Sequence, residues 1–405
     1  MGKNTLYISF DGLSDPLGRS QILPYLIGIA REGHHITIIS CEKTEALKVE
    51  KTGIENLIQD LSITWIYINY ETSGGMLSRY GYLKKMESIA KGVVASKNIE
   101  LVHCRSYLAA LIGLNFKLKS GIPFLFDMRG YWADERIDGE IWNKTNLLHR
   151  GLYNYFKRKE KQFFKHADAI VMLTNASLRD INSKFKEFKV IAKSTVIPCC
   201  TDMEMFSNNK LKPVLVKGVS DSDFLLIYTG SIGTWYYTKE MIDCVLEWKA
   251  QLPNIKLLIL TKDKSELEII LKEYSAEQSK IVFTESASYQ DVPNYLALAK
   301  AAIFFIKPAY SKIASSPTKM AECWAMNLPI VTNSGIGDND LYFDEQQGGV
   351  LINSFTKEAY QKACVEFIEH QKKKLNYRKI ALDYFDNKMA VNKYTTVYNE
   401  LTEKN

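Results

Sequence analysis

The sequence predicts an α/β protein made of two doubly wound parallel-sheet domains facing across a cleft. Three observations carry that prediction. Short apolar runs rich in β-branched and aromatic residues alternate with longer amphipathic segments, the mark of βαβ units. The runs fall into two series divided by a polar stretch, residues 207–223. The length, 405 residues, is more than one ordinary core organises and suits two domains.

The first series reads LYISF from Leu6, HITIISC from His35, ITWIYINY from Ile63, LVHCR from Leu101, PFLFDM from Pro123, AIVMLT from Ala169 and STVIPC from Ser194. Segments of helical period lie between most of them, such as residues 21–32. The second series reads FLLIYTG from Phe224, IKLLILT from Ile255, KIVFTE from Lys280, AAIFFIK from Ala301, PIVTN from Pro329 and GGVLI from Gly348. This assigns residues 1–200 to an N-terminal domain and 201–376 to a C-terminal one. Residues 377–405 read as helical, with aromatics at Tyr384, Phe385, Tyr394 and Tyr398, and are expected to pack back on the first domain.

Composition narrows the class. With 46% hydrophobic and 24% charged residues the chain is globular in type, and its net charge of +6 is too diffuse to make nucleic acid an expected partner. Seven cysteines, odd in number and without metal-ligand spacing, fit a reduced, cytoplasmic setting. The opening residues show no signal-peptide pattern, and no apolar run approaches the ~18 residues a transmembrane helix needs. Any membrane contact is therefore expected to be peripheral, at the inner face. The segment KTNLLHRGLYNYFKRKEKQFFKHAD from Lys144 mixes cations with apolar residues at helical spacing. It suits an anionic membrane, or equally a surface helix whose apolar face meets the core.

Ligands of open parallel sheets lie beyond the carboxyl ends of strands, so the strand-to-helix loops are where chemistry is sought. The strongest signal is KPAYSKIASSPTKMAECWAMNLPIVTNSGIGD from Lys307. Lys312, Ser315, Ser316, Thr318 and Lys319 surround a predicted helix start, whose amides suit a diphosphate, and Glu322 one turn on can accept hydrogen bonds from ribose. The plainer reading is a helix cap with Pro317 near the first helical position. In YTGSIGTWYYTKEM from Tyr228, Gly230 and Gly233 permit close backbone approach beside the Ser231 hydroxyl. FDMRGYWADERIDGE from Phe126 holds Asp127, Arg129, Asp134 and Glu135, which either orient an acceptor or form a buried Arg–Asp network in the domain wall. His103, ending the LVHCR run, is more often structural in such a place. Asp221-Ser222-Asp223 and Asp338-Asn339-Asp340 do not follow strands as a metal site requires, and no metal is expected.

The segment from Lys307 resembles the nucleotide-sugar site of glycosyltransferase family 4, retaining enzymes of the GT-B fold whose Glu-x7-Glu element binds the donor sugar and ribose. Glu322 matches the second glutamate, and Ala314 stands at the first. GRSQILPYLIGIAREGHHITIIS from Gly18 is similar to the family's first loop and helix, with Gly18, Arg19 and Gln21 on its Gly-Gly-x-Glu positions. ADAIVMLTNA from Ala167 and VIPCCTDMEMF from Val196 resemble two further family segments, the latter with Cys199 and Cys200 in place of Asn and Gly. Arg129 falls where many members carry a histidine near the acceptor. Ser231 falls where an arginine often meets the diphosphate and Lys239 near a lysine with the same role, which leaves Lys319 or Lys312 to supply positive charge.

The resemblance implies two Rossmann-like domains facing across a cleft in the GT-B architecture. It also implies retaining transfer of a sugar from a UDP- or GDP-sugar to a glycan or lipid-linked glycan in surface polysaccharide biosynthesis, with no cofactor and no metal. On that reading Asp127, Arg129 and Lys319 are catalytic. Gly18, Arg19, Gly230, Ser231, Gly233, Lys312, Ser315, Ser316, Thr318, Lys319 and Glu322 bind the donor, and Asp127, Arg129, Asp134 and Glu135 bind the acceptor. Two rivals stay open: a non-catalytic GT-B nucleotide-sugar-binding or scaffold subunit, consistent with Ala314, and a nucleotide-sugar epimerase.

Overall fold

The computed structural model describes residues 2–71 and 75–403. They form two compact units, Met1–Pro198 with Asn387–Asn405, and Cys199–Asp386. The first holds β1 (Asn4–Ser9), β2 (His35–Lys43), β3 (Ile63–Tyr70), β4 (Leu101–Arg105), β5 (Phe124–Asp127), β6 (Ala169–Met172) and β7 (Ser194–Val196). They pair in the order β3-β2-β1-β4-β5-β6-β7, every pair parallel. The second holds β8 (Phe224–Thr229), β9 (Ile255–Leu260), β10 (Val282–Glu285), β11 (Ala301–Ile303), β12 (Ile330–Asn333) and β13 (Gly349–Ile352). Their order is β10-β9-β8-β11-β12-β13, again all parallel. Each expected apolar run forms its strand, because a strand of a parallel sheet is covered on both faces and must be apolar along its length.

Strand order reverses beside the first strand of each series, where β1 meets β4 and β8 meets β11. The loops leaving those strands diverge and open a crevice at the carboxyl edge. The helix expected over residues 21–32 is divided into Pro16–Gln21 and Leu23–Arg31, with the break at Ile22 just ahead of Pro24, which has no amide to donate.

The tail departs from expectation. Only helix Asn387–Glu403 joins the first unit, where Tyr394 packs on Tyr25 with ring centroids 5.7 Å apart and Lys393 donates to the Val196 carbonyl at 3.0 Å. Helix Tyr377–Tyr384 stays with the second unit. Arg378 decides this: its guanidinium donates to the carbonyls of Phe206 and Met203, each at 2.6 Å, and of Ala325. Phe385 completes the anchor against Trp324, 5.6 Å between rings. An aromatic helix pattern shows that a core is met but not which core. Among the described residues no helix is long and apolar enough to cross a membrane.

Arg378→Ala leaves these carbonyls without their donor. The expected loss of about 2 kcal/mol corresponds to a fall of roughly 4–8 °C in unfolding midpoint for a domain of this size. An unchanged midpoint in calorimetry would mean that water satisfies these carbonyls without cost.

Candidate active site

At the switch point of the second sheet, β8 runs into the Gly-rich loop and β11 into residues 304–317. Tyr237 donates to the Phe305 carbonyl at 3.0 Å, and Lys307 donates to that of Trp235 at 2.8 Å, so the Trp235-Tyr236-Tyr237 run is stitched to the segment after β11. Asn333, ending β12, accepts from the Ile306 amide at 2.8 Å and returns a bond to the Ile306 carbonyl at 3.0 Å. A short 3-10 turn, Tyr310–Ala314, then leads to helix Thr318–Ala325. No side chain caps that helix, which leaves first-turn amides to a ligand.

Lys319, the second residue of the helix, is buried. Its Nζ lies 3.6 Å from the ring centre of Tyr236, 4.3 Å from that of Tyr228 and 3.3 Å from the Tyr228 hydroxyl. Aromatic faces thus stand where a carboxylate partner usually would. Gly230 makes the room: its φ is +141°, and a Cβ there would sit 2.6 Å from the ammonium. Lys312 is also buried, 3.6 Å above the Trp235 ring. Glu322 lies one turn after Lys319, buried, with the Tyr289 hydroxyl acting on its carboxylate.

Burial sets the charge state of this pair. It pushes Lys319 down to about 7, with Glu322 opposing, and pushes Glu322 up to about 7 against Tyr289 and Lys319. Near neutrality neither is firmly charged.

The first unit solves the opposite problem. Asp127, at the end of β5, is buried with His103 Nε2 at 3.5 Å, guanidinium nitrogens of Arg105 and Arg129 each at 3.8 Å, and the Tyr394 hydroxyl donating at 3.1 Å. His103 in turn meets the Tyr398 hydroxyl at 2.8 Å. Burial opposes ionisation of Asp127, but Arg129, His103 and Arg105 outweigh it and hold the carboxyl below its usual range. Burial lowers His103 as well, although Asp127 works against it. An Asp127 held in its ionised form is a weak proton acceptor, and it lies in ion-pair range of both arginines. Glu42, ending β2, holds the neighbouring loop by accepting from the amides of Leu13 and Ser14 at 2.8 and 2.9 Å and from the hydroxyls of Ser14 and Ser40, both at 2.5 Å.

Two family models match the sequence, Glycosyltransferase Family 4 over residues 26–205 and Glycosyl transferases group 1 over residues 216–383. The chain belongs to glycosyltransferase family 4. Solved structures with the same fold include sucrose-phosphate synthase from Thermosynechococcus elongatus, 13% identical with all of both chains covered and a TM-score of 0.71. WaaG, a glycosyltransferase involved in lipopolysaccharide biosynthesis, is 15% identical over 97% of this chain and 99% of its own, with a TM-score of 0.65. Anabaena HepE in complex with UDP-glucose is 14% identical over 99% and 98%, with a TM-score of 0.64. No curated protein sequence matches the chain.

In this glycosyltransferase the structure places Gly230, Ser231, Gly233, Lys312, Ser315 and Ser316 on the loops at one switch point and Thr318, Lys319 and Glu322 on the helix that follows. Ser231 uses its carbonyl to accept the Tyr228 hydroxyl at 2.6 Å, and the Ser316 hydroxyl accepts the Cys199 amide at 3.1 Å. Gly18 and Arg19 lie in the other unit. Gly18 is a packing glycine, since a Cβ would sit 2.0 Å from the Gly12 carbonyl, and Arg19 pairs with Glu50 at 3.5 Å. Arg129, in the left-handed region at φ 57°, reaches Asp127 as described.

Asp134 is also reassigned. It faces the interior and accepts from the Tyr153 hydroxyl at 2.8 Å and from Lys157 at 2.9 Å. Helix Trp132–Asp138 turns it away from the cavity that Arg136 lines two residues later. Glu135 is half-buried and adds its charge beside Arg136. Lys239 is exposed and paired with Glu273. The DxD acids have local tasks: Asp223 binds Lys256 at 2.8 Å, and Asp338 precedes helix Asn339–Asp344. Sequence reasoning missed Tyr228, Trp235, Tyr236, Tyr289 and Tyr394. The Trp-Tyr-Tyr run after two glycines was a usable signal for the cage, whereas Tyr289 and Tyr394 have no local one.

Between pH 7 and 10.5 the folded protein holds fewer protons at Lys319 than the unfolded chain, so this site adds stability as pH rises and its full cost stands below pH 7. Lys319→Met is therefore expected to stabilise the ligand-free protein at pH 6 by roughly 1–4 kcal/mol, a gain that shrinks toward pH 10. Thermal melts across that range test it; a gain independent of pH contradicts the buried-cation account.

Proposed function

We propose that the protein is a retaining hexosyltransferase that takes a UDP- or GDP-sugar on its second domain and passes the sugar to a glycan or lipid-linked glycan on its first, in surface polysaccharide assembly. The observation that carries this reading is the buried, aromatic-caged Lys319 at an uncapped helix start, one turn from Glu322. A diphosphate supplies the charge that the cage withholds, and Glu322 is placed one turn on to accept from ribose hydroxyls. The UDP-glucose complex of HepE and the lipopolysaccharide role of WaaG support the donor and acceptor classes.

In the proposed step the bond from the sugar's anomeric carbon to the diphosphate oxygen breaks and a bond to the acceptor hydroxyl oxygen forms. The hydroxyl proton passes to the departing diphosphate. Lys319, Lys312 and the first-turn amides take up the developing negative charge, so the reading needs neither metal nor cofactor. Arg129, held by Asp127, faces the acceptor. The setting is cytoplasmic, with peripheral contact at the inner face of a membrane through helix Leu147–His166. That helix buries Phe156, Phe163 and Phe164 and exposes Leu147, Leu148, Tyr155, Arg158, Lys161 and Lys165.

The test is a panel of UDP- and GDP-sugars in EDTA, read first as thermal stabilisation and then as transfer to candidate acceptors. Lys319→Ala is expected to lower kcat/KM about tenfold or more. Gly230→Ala, which drives a methyl into the ammonium, should weaken donor binding by at least about tenfold. Donor binding without transfer would favour a scaffold, and isomerised nucleotide sugar without acceptor would favour an epimerase.

A further inference from the structure

The carboxyl ends of β2, β3 and β4, the loop after β1 and the helices that follow β3, β4 and β5 enclose a cavity of about 190 Å³ in the first unit. Ligand pockets commonly run to about 300–1,000 Å³, so this one has room for a single group and not a whole oligosaccharide. Four cations line it, Lys43, Arg79, Arg105 and Arg136, against two carboxylates, Asp11 and Asp15. The carboxylates are already engaged: Lys43 binds Asp15 at 3.0 Å, and Arg105 binds Asp11 at 3.6 Å.

Arg79 and Arg136 are left over. Neither guanidinium has a carboxylate within 4.0 Å among the described residues. Arg136 lies over Trp132, 3.5 Å from the ring centre, with Nη1 donating to the Trp132 carbonyl at 3.5 Å, and among the described residues its other guanidinium nitrogens have no carboxylate partner. Burial lowers its affinity for the proton, and the charge of Arg79 adds to that strain while Glu135 and Asp11 relieve it. Two guanidinium groups sharing one small cavity repel each other until an anion joins them. Tyr70 and Trp132 add apolar walls beside them.

Resting on the reading that the first domain takes the acceptor, we propose that the acceptor carries an oxyanion, a phosphate or a carboxylate, which docks between Arg79 and Arg136. The fork of each guanidinium matches two oxygens of such a group. A phosphate would come from a lipid carrier, a carboxylate from an acidic sugar.

Calorimetry on the full chain, with UDP saturating the donor site, compares glucose 6-phosphate, glucuronate and glucose. Charged sugars are expected to bind at least about tenfold more tightly than glucose, with affinity falling as salt rises. Arg79→Gln and Arg136→Gln should each remove most of that preference and leave glucose unaffected, while Arg136→Lys keeps part of it. Arg79 is exposed, so its variant decides the matter should Arg136→Gln fail to fold. Preference for the phosphate names a phosphorylated carrier, and preference for glucuronate an acidic glycan. Equal binding of all three sugars, no binding of either charged one, or a preference surviving in both variants overturns the proposal. Failure of every nucleotide sugar to stabilise the protein would instead sink the transferase reading, which the anion titration does not test.

Discussion

A parallel sheet whose order reverses beside its first strand must send neighbouring crossovers over opposite faces, and the loops at that point cannot cover the strand ends between them. Both sheets of this protein obey that constraint. The reversal beside β8 and β11 sets the Gly-rich loop against the run into helix Thr318–Ala325, and the reversal beside β1 and β4 sets the Glu42-anchored loop near Arg105. Lys312, Lys319 and Glu322 sit on the run after β11 and its helix, while Asp127 and Arg129 come from the end of the neighbouring strand β5.

The two centres use burial in opposite ways. Around Asp127 the chain supplies His103 and two arginines at 3.5–3.8 Å and one tyrosine hydroxyl within hydrogen-bond reach, so its charge is answered mainly by neighbouring cations. Around Lys319 it supplies rings, which attract a cation but do not neutralise it. A lysine paired with a carboxylate would be silent toward a diphosphate. One held by Tyr236 and Tyr228 keeps the cost of its burial, and under the proposed function that cost is what a bound anion would relieve.

Most of the architecture was legible because its causes are local. Thirteen apolar runs name thirteen strands, and a Ser-Ser-Pro-Thr-Lys sequence names a helix start wherever it lies. The Gly-rich loop after β8 was legible for the same reason. Asp134 was misread because an acid after a strand looks alike whether it faces ligand or protein, and the packing of Gly18 was not legible for the same reason. Gly18 is tight against Gly12, and Asp134 turns inward to Lys157, only once the helices have packed.

What the sequence determined alone was therefore periodicity: two series of buried strands, their boundary within a few residues of Pro198, and the helix termini that concentrate partial charge. Tertiary structure decided everything that depends on distance between residues remote in the chain. It brought Tyr228 and Tyr236 to Lys319 and Tyr394 to Asp127, and it divided the tail at Asp386 because Arg378 finds three carbonyls in the second unit. Local pattern encodes which face of an element is apolar. The partner of that face is set by strand order and packing, which no short window of sequence contains.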